Sequence, residues 1–278
     1  MTTRIDSPSN PRIAAAVKAV AAHEKVLLEG ARMIEEALDA GVSVEDMFLQ
    51  NDAFEEHEDL LRRVRGDGTT RAANATTVSA RVLRRLSDLP STRGLVAIAA
   101  PPHRTLTSLS ALLPSKKSSS SFSSSSSLFL LLDDVQDPAN VGAILRSGEA
   151  FGVAAALLTP GCAWPFSPRA LRASAGSAFR LPVAARVAAG GAVAWARRHG
   201  IALAGAAAHG GTAPEALAGV RPIALVIGSE GHGISAEISG SLEHRVTLPL
   251  AGRVDSLNAA VAAGVLLHIL THAPPPAR

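Results

Sequence analysis

Three runs of this 278-residue chain carry polar groups at spacings that could do chemistry. In DDVQDPANVGAILRSGEAFG, residues 133–152, an asparagine, a glycine and an arginine follow one another as Asn140, Gly142 and Arg146. An amide can donate and accept at once, and a guanidinium can hold a phosphate or a developing negative charge. In GSEGHGIS, residues 228–235, Glu230 sits inside a glycine-rich turn, where Gly228 and Gly231 let backbone approach a ligand closely. In DSLNAAVAAG, residues 255–264, Ser256 and Asn258 precede a run of small residues. The glycine turn lacks the Gly-Lys-Ser/Thr end of a phosphate loop, and its G-x-x-G-x-G spacing does not match the dinucleotide fingerprint. The nine histidines and the single cysteine, Cys162, show no zinc-ligand spacing, so no metal is expected.

These groups need elements to hold them. Asp137 is a natural N-cap and Pro138 fits a first helical turn, so a helix is expected over 138–151. Val141, Ile144, Leu145 and Phe151 form its apolar stripe. Gly142 lies one turn before Arg146 and leaves space beneath the arginine side chain. Taken alone, the pair fits a helix-packing glycine beside a surface arginine better than it fits a site. PIALVIGS, 222–229, reads as a buried strand feeding the glycine turn. HRVTLPL, 244–250, reads as another, ending in Leu248-Pro249-Leu250. Ser256 is then a plausible cap for a last helix over 256–271.

The same alternation runs through the whole second half. Strands are expected at LFLLLDDV, VAAALLTP, LPVAARV and IALAGAAA, and helices at 167–178 and 190–200. Alternating β and α predicts an α/β fold with a parallel sheet covered on both faces, and ligands then bind at the carboxyl ends of the strands. The first part reads as a small α/β domain. EKVLLEGARMIEEALDAGV has helical spacing at Leu27, Leu28, Ala31, Ile34 and Leu38, with Gly41 as its stop. VEDMFLQ and GLVAIAA read as strands, and SARVLRRLSDL as a helix capped by Ser79. Between the halves, serines fill 118–127 around Phe122 and cannot bury apolar surface. The expected organisation is a small α/β domain over 1–103, a serine-rich linker over 104–127 and a larger α/β domain over 128–278.

Composition narrows the class. Hydrophobic residues make up 47% of the chain, enough for globular cores. One cysteine permits no internal disulfide, and the start, MTTRIDSPSN, is polar, so a cytoplasmic protein is expected. Residues 1–103 carry 13 basic and 15 acidic side chains, and residues 104–278 carry 14 and 9, so the basic excess lies in the second part. Arginines nevertheless crowd the end of the first part, at 62, 63, 65, 71, 81, 84, 85 and 93.

In this order and near these spacings, NVGAILR, GSEGHGIS and LPLAGRVDSLNAAVA resemble the three motifs of the SpoU/TrmH family of RNA ribose 2′-O-methyltransferases. LRASAGSAFRLPV resembles the segment between the first two, and the first part resembles the small substrate-binding domain of the ribosomal-RNA branch. Each motif alone is weak; three in register are specific. The resemblance covers all but the serine run. It implies a trefoil-knotted methyltransferase domain preceded by an RNA-binding domain, S-adenosylmethionine as donor, RNA as partner, and a homodimer with sites at the subunit interface. It implies catalytic roles for Arg146, Asn140, Glu230, Ser256 and Asn258, and cofactor contacts from Gly228, Gly231, Leu248, Ser256 and Leu257. Leu248, Leu250 and Asp255 depart from commoner family residues in ways that alter packing only.

A ribose hydroxyl must lose its proton as it attacks a methyl group. Arginine is a poor base. Either Arg146 takes that proton, helped by burial and a neighbouring positive charge, or it stays charged and stabilises the alkoxide; the second is physically simpler. Transfer RNA is the alternative substrate, and a non-catalytic RNA-binding or assembly protein the alternative class.

Overall fold

The strands LFLLL and IALVI are apolar at every position, a pattern that only a strand covered on both faces can satisfy. In the structure, a computed structural model describing residues 4–50, 53–65, 74–87, 94–113 and 127–273, both are buried throughout and lie side by side. The chain divides into two units, residues 1–102 with 166–172, and residues 103–165 with 173–278.

The first unit contains β1 (Arg4–Ile5), α1 (Pro11–Ala21), β2 (Val26–Glu29), α2 (Ala31–Asp39), β3 (Val44–Leu49), α3 (Ala53–Glu56), α4 (Glu58–Arg65), β4 (Asn74–Val78), α5 (Ala80–Leu86) and β5 (Leu95–Ala99). Its sheet runs β1-β4-β3-β5-β2, with β5 antiparallel to both neighbours and the other pairs parallel. Leu27, Phe48, Val78, Val96 and Ile98 face Ile13 of α1 and Val82, Leu83 and Leu86 of α5. Strand alternation turns Leu28, Met47, Leu49 and Leu95 to the opposite face, where α2 buries Ile34 and Ala37. The helical stretch expected from residue 24 begins only at Ala31. Val26–Glu29 is instead a strand, because Leu27 and Leu28 are buried on opposite faces, and Gly30 at φ +81° turns the chain into α2. Gly41 ends α2 at φ +74°, and Ser79 Oγ caps α5 by accepting from Val82 N at 3.4 Å, both as expected.

The second unit contains α6 (Leu106–Leu112), β6 (Leu128–Leu132), α7 (Pro138–Ala150), β7 (Ala155–Leu158), α9 (Ser177–Arg180), β8 (Val183–Ala184), α10 (Ala189–Arg198), β9 (Ala202–Ala206), β10 (Ile223–Ile227), α11 (Ala236–Ser239), β11 (His244–Val246) and α12 (Ala259–His272). The short α8 (Pro168–Ser174), which precedes α9 in the chain, belongs through Arg172 to the first unit. The sheet is parallel throughout, in the order β11-β9-β10-β6-β7-β8. Phe129, Leu131, Leu157 and Val226 pack under α6, α10 and α11. On the other face α7 approaches closely: a Cβ on Gly148 would lie 2.8 Å from Leu130 Cδ1. Next to α7 runs α12, whose Gly264 would place a Cβ 3.5 Å from Ser147 Oγ.

Some boundaries differ from expectation. The helix over 167–178 splits into α8 and α9, because Ala175 and Gly176 take left-handed backbone, at φ 48° and 83°. The strand over 244–250 stops at Val246. Phe151 is the half-buried residue closing α7, its ring 5.7 Å from that of His268. Residues 114–126, most of the serine-rich linker, lie outside the described residues. Residues 106–112 of that span form α6, which buries Leu109 in the core.

One hydroxyl docks α6. Trp195 Nε1 donates to Ser110 Oγ at 2.9 Å, and His199 Nε2 lies 3.0 Å from the same oxygen. Trp195 is 4% exposed, so removing that acceptor strands a buried donor. Ser110→Ala is expected to cost about 1–3 kcal/mol in urea unfolding; an unchanged midpoint would show that α6 is held by its leucines alone.

Candidate active site

In the second sheet, the strand sequence reverses direction where β6 and β10 lie adjacent. An open α/β sheet forms a crevice at such a switch, beyond the carboxyl ends of its strands. Here the crevice is a cavity of about 450 Å³. Its walls come from three strand ends and one helix start: Ala206–Ala208 at the end of β9, Gly228–Glu230 after β10, Leu248 and Leu250 after β11, and Ser256–Ala259 at the start of α12. Ile227, Val246 and Leu266 close its apolar floor. Asn140, after β6, stands beside this cavity and bonds to its rim.

Three side chains from distant segments are joined in series. Asn258 Oδ1 caps α12 by accepting from Ala260 N at 3.0 Å and Val261 N at 3.3 Å. Its Nδ2 donates to Asn140 Oδ1 at 3.0 Å. Asn140 Nδ2 in turn donates to Glu230 Oε1 in a short hydrogen bond. Asn140 is positioned by α7, whose first turn is held by Asp137 Oδ1 accepting from Ala139 N at 2.9 Å. The cap of α12 is therefore Asn258, not Ser256. Asn258 sits directly before the first helical residue, where its oxygen reaches two free amides, whereas Ser256 is two residues too early and exposed.

Glu230 rides on a turn with little freedom. Ser229 N donates to Gly233 O at 3.1 Å and Gly233 N to Ser229 O at 2.9 Å, with His232 N on Ser229 Oγ at 3.2 Å. Gly228 packs against the far side of this turn, and a Cβ there would lie 2.3 Å from Gly233 C. No other residue fits without moving backbone. The turn is pinned from below by Asp133, a carboxylate only 3% exposed at the end of β6, whose Oδ2 accepts from Ser235 N at 2.7 Å. Across the cavity, Thr247 stitches β11 to β9: its Oγ1 donates to Ala207 O at 3.0 Å and accepts from Gly211 N at 2.9 Å.

The structure brings Gly228, Glu230, Leu248, Ser256, Leu257 and Asn258 to the cavity wall and Asn140 to its rim. It does not bring Gly231 or Arg146 there. Gly231 is exposed with open space about its Cα, and Arg146 is exposed on α7 with no ion pair among the described residues. The burial that a guanidinium base would need is absent at Arg146 in the single chain. Gly142 beneath it is buried. Asp133 and the Ala206–Ala208 wall escaped the sequence reading. The signals for them were an acid directly after a fully apolar strand, and a run of small residues at the end of another. Cys162 offers no nucleophile, because burial pushes its thiol up and its Sγ donates to Leu132 O at 3.2 Å.

Comparisons with known proteins agree with this geometry. Residues 127–268 match the SpoU rRNA Methylase family, and residues 18–97 match the MRM3-like substrate binding domain. An uncharacterized tRNA/rRNA methyltransferase of Mycobacterium ulcerans (strain Agy99) is 43% identical over 137 residues, which is 49% of this chain and 44% of that protein. One from Mycobacterium leprae (strain TN) is 42% identical over the same span and shares. This chain thus spans less than half the length of the curated relatives it matches. Among solved structures, the SpoU methyltransferase AviRb from Streptomyces viridochromogenes, in complex with AdoMet, superposes with TM-score 0.76 at 27% identity, covering 94% of this chain and 98% of that one. An rRNA methyltransferase from Sinorhizobium meliloti, AdoMet-bound, superposes with TM-score 0.80 over 97% of both chains; at 22% identity it speaks to fold alone. With half its length matched and the three polar segments meeting at one cavity, this chain belongs to the SpoU rRNA methylase family.

Proposed function

We propose that this protein transfers a methyl group from S-adenosylmethionine to a ribose 2′-hydroxyl in RNA, with ribosomal RNA of the large subunit as the substrate. The observation that carries this reading is the series Asn258–Asn140–Glu230 at the rim of a cavity built by the three family segments. A volume of about 450 Å³ falls in the range for small-molecule sites, roughly 300–1,000 Å³. Its apolar floor suits an adenine ring, while Ser229, Ser256 and Asn258 offer polar contacts to the remainder. Bound there, S-adenosylmethionine supplies a methyl group on a positively charged sulfur. The substrate-binding domain matched by residues 18–97, and the rRNA methylase family matched by residues 127–268, favour ribosomal over transfer RNA.

The chain's own residues divide the work. Glu230 and Asn140 present an acceptor and an amide at the rim, where a hydroxyl and its neighbours can be oriented. Arg146 stays charged and holds the phosphate beside the reacting ribose, stabilising the alkoxide as its proton passes to water and the oxygen takes the methyl group from sulfur. Arg146 and Asn140 are six residues apart on one helix, so their side chains diverge by about 120°. One copy of α7 cannot aim both at one point, which favours a homodimer in which Arg146 completes the neighbouring copy's site. Val261 and Val265, 52% and 40% exposed on one side of α12, offer the apolar surface for that contact.

The direct test is incubation of the full chain with methyl-labelled S-adenosylmethionine and ribosomal RNA, followed by digestion to nucleosides. Label in 2′-O-methylnucleosides is expected; label confined to base-methylated nucleosides would overturn the ribose assignment, and RNA binding without any transfer would favour the assembly-protein alternative. Arg146→Ala should lower kcat by about 10²–10³, the loss typical of one charge-stabilising group, with cofactor affinity unchanged. Arg146→Lys retaining nearly full kcat would show that the planar fork is not required. In sedimentation, the wild type should run as a dimer and the double variant Val261→Asp, Val265→Asp as a monomer with little transfer; a monomeric, active wild type would end the shared-site reading.

A further inference from the structure

The two helical layers of the first unit differ sharply in charge. The layer made by α1 and α5 contains Arg12, Lys18, Arg81, Arg84 and Arg85 and not one acid. On the opposite side of the sheet, α2 contributes Glu35, Glu36 and Asp39. In α4, which packs against α2, Glu58 and Asp59 open the helix, Arg62 pairs with Asp59 at 2.7 Å, and Arg63 pairs with Asp39 at 2.5 Å. Arg62 and Arg63 are therefore neutralised within the fold, and Arg32 of α2 stands on the same helix as three acids. In the first layer only Arg12 is neutralised, through Asp46 of β3.

Arg81, Arg84 and Arg85 are all exposed, and none has an ion pair or hydrogen bond among the described residues. Their i, i+3 and i+4 spacing puts them on one face of α5, close enough to repel one another. Arg84 and Arg85 suit the carbonyl end of the helix, but Arg81 stands in its first turn, against the helix dipole. Among the described residues, the acids bonded to the two ends of α5 give no relief. Asp6, whose backbone carbonyl accepts from Ser79 Oγ, is paired with Arg4 at 2.9 Å. Glu29 is turned inward, its side chain 4% exposed, and accepts from Ser87 Oγ. Intramolecular stability does not account for three unpaired, mutually repelling cations on a seven-residue helix. A partner carrying regularly spaced negative charge does.

We infer that the exposed face of α5, through Arg81, Arg84 and Arg85, is the surface on which the first unit receives the phosphate backbone of RNA. The inference rests on the RNA-methyltransferase reading and locates the substrate contact within the small domain. Charge contrast across the sheet also orients the domain, since α2 and α4 together carry five acids against four bases and offer no comparable basic face. These contacts carry no base identity; they set affinity and placement, leaving base choice to other residues.

The test is filter binding of purified ribosomal RNA to the full chain across a series of potassium chloride concentrations. Each phosphate contact contributes roughly 0.7–0.9 to the slope of log K against log salt. Replacing all three by glutamine, Arg81→Gln with Arg84→Gln and Arg85→Gln, should reduce the slope by about 2–3. It should also weaken binding at least tenfold at low salt while leaving S-adenosylmethionine affinity unchanged. The corresponding triple lysine variant should restore most of both, which separates charge from any effect on folding. Arg62→Gln with Arg63→Gln serves as the control, because those side chains are already paired. An equal loss in the control, or an unchanged slope in the triple variant of a wild type that binds and methylates RNA, overturns this inference alone. A wild type that neither binds nor methylates RNA overturns the function on which it rests as well.

Discussion

The site depends on a chain of hydrogen bonds that no single segment could make: amides of α12 to Asn258, Asn258 to Asn140, Asn140 to Glu230. Its members lie 118 and 90 residues apart and are at least partly open to water. Each such bond contributes only about 1 kcal/mol net, so the chain cannot assemble the site by its own strength. It records an alignment made elsewhere. Rigid elements must deliver three amide and carboxylate groups to within hydrogen-bond reach before any of these bonds can form.

The parallel sheet supplies that delivery. β6 and β10 are neighbours in register, Leu132 opposite Ile227, so the chain leaving each strand starts from a fixed height. Asp133 then ties the two exits together by accepting from Ser235 N, and its burial makes this link costly to break. Small residues complete the fit. Gly148 lets α7 lie on Leu130, and Gly228 lets the turn bearing Glu230 fold back on its strand. Cavity and hydrogen-bond chain are thus two results of the same close packing.

The sequence made the sheet legible because its strands are apolar on both faces and alternate with capped helices. Asp137-Pro138 gave the start of α7 to the residue. Local rules failed where two outcomes satisfy them equally. Val26–Glu29 fits the hydrophobic spacing of the following helix as well as a buried strand, and only pairing with β5 decides. Ser256 and Asn258 are both good caps, and only the path of the chain from β11 selects the second. Helix α1 was missed because PRIAAAVKAV carries few large apolar residues, although Asn10 accepts from Arg12 N at 2.9 Å and starts it with an ordinary cap. At the site, residue types and spacing pointed to the polar groups, while the alanine wall after β9 and the buried Asp133 required knowing which strand ends are adjacent. The exposure of Arg146 was not readable either, since its helix spacing serves a packed or an open face alike.

The hydrogen-bond chain also has a direction. Backbone amides at the start of a helix can only donate, so Asn258 must turn its oxygen toward them and its nitrogen away. That choice forces Asn140 to receive with its oxygen and give with its nitrogen, and leaves position 230 a single admissible role, that of acceptor. A side chain able only to donate there would face nitrogen with nitrogen, and the conflict would run back through both asparagines to the first turn of α12. The polarity of a peptide backbone is in this way transmitted through two neutral amides to the one carboxylate at the rim. A substitution at any of these three positions has to be judged against the orientation of the other two.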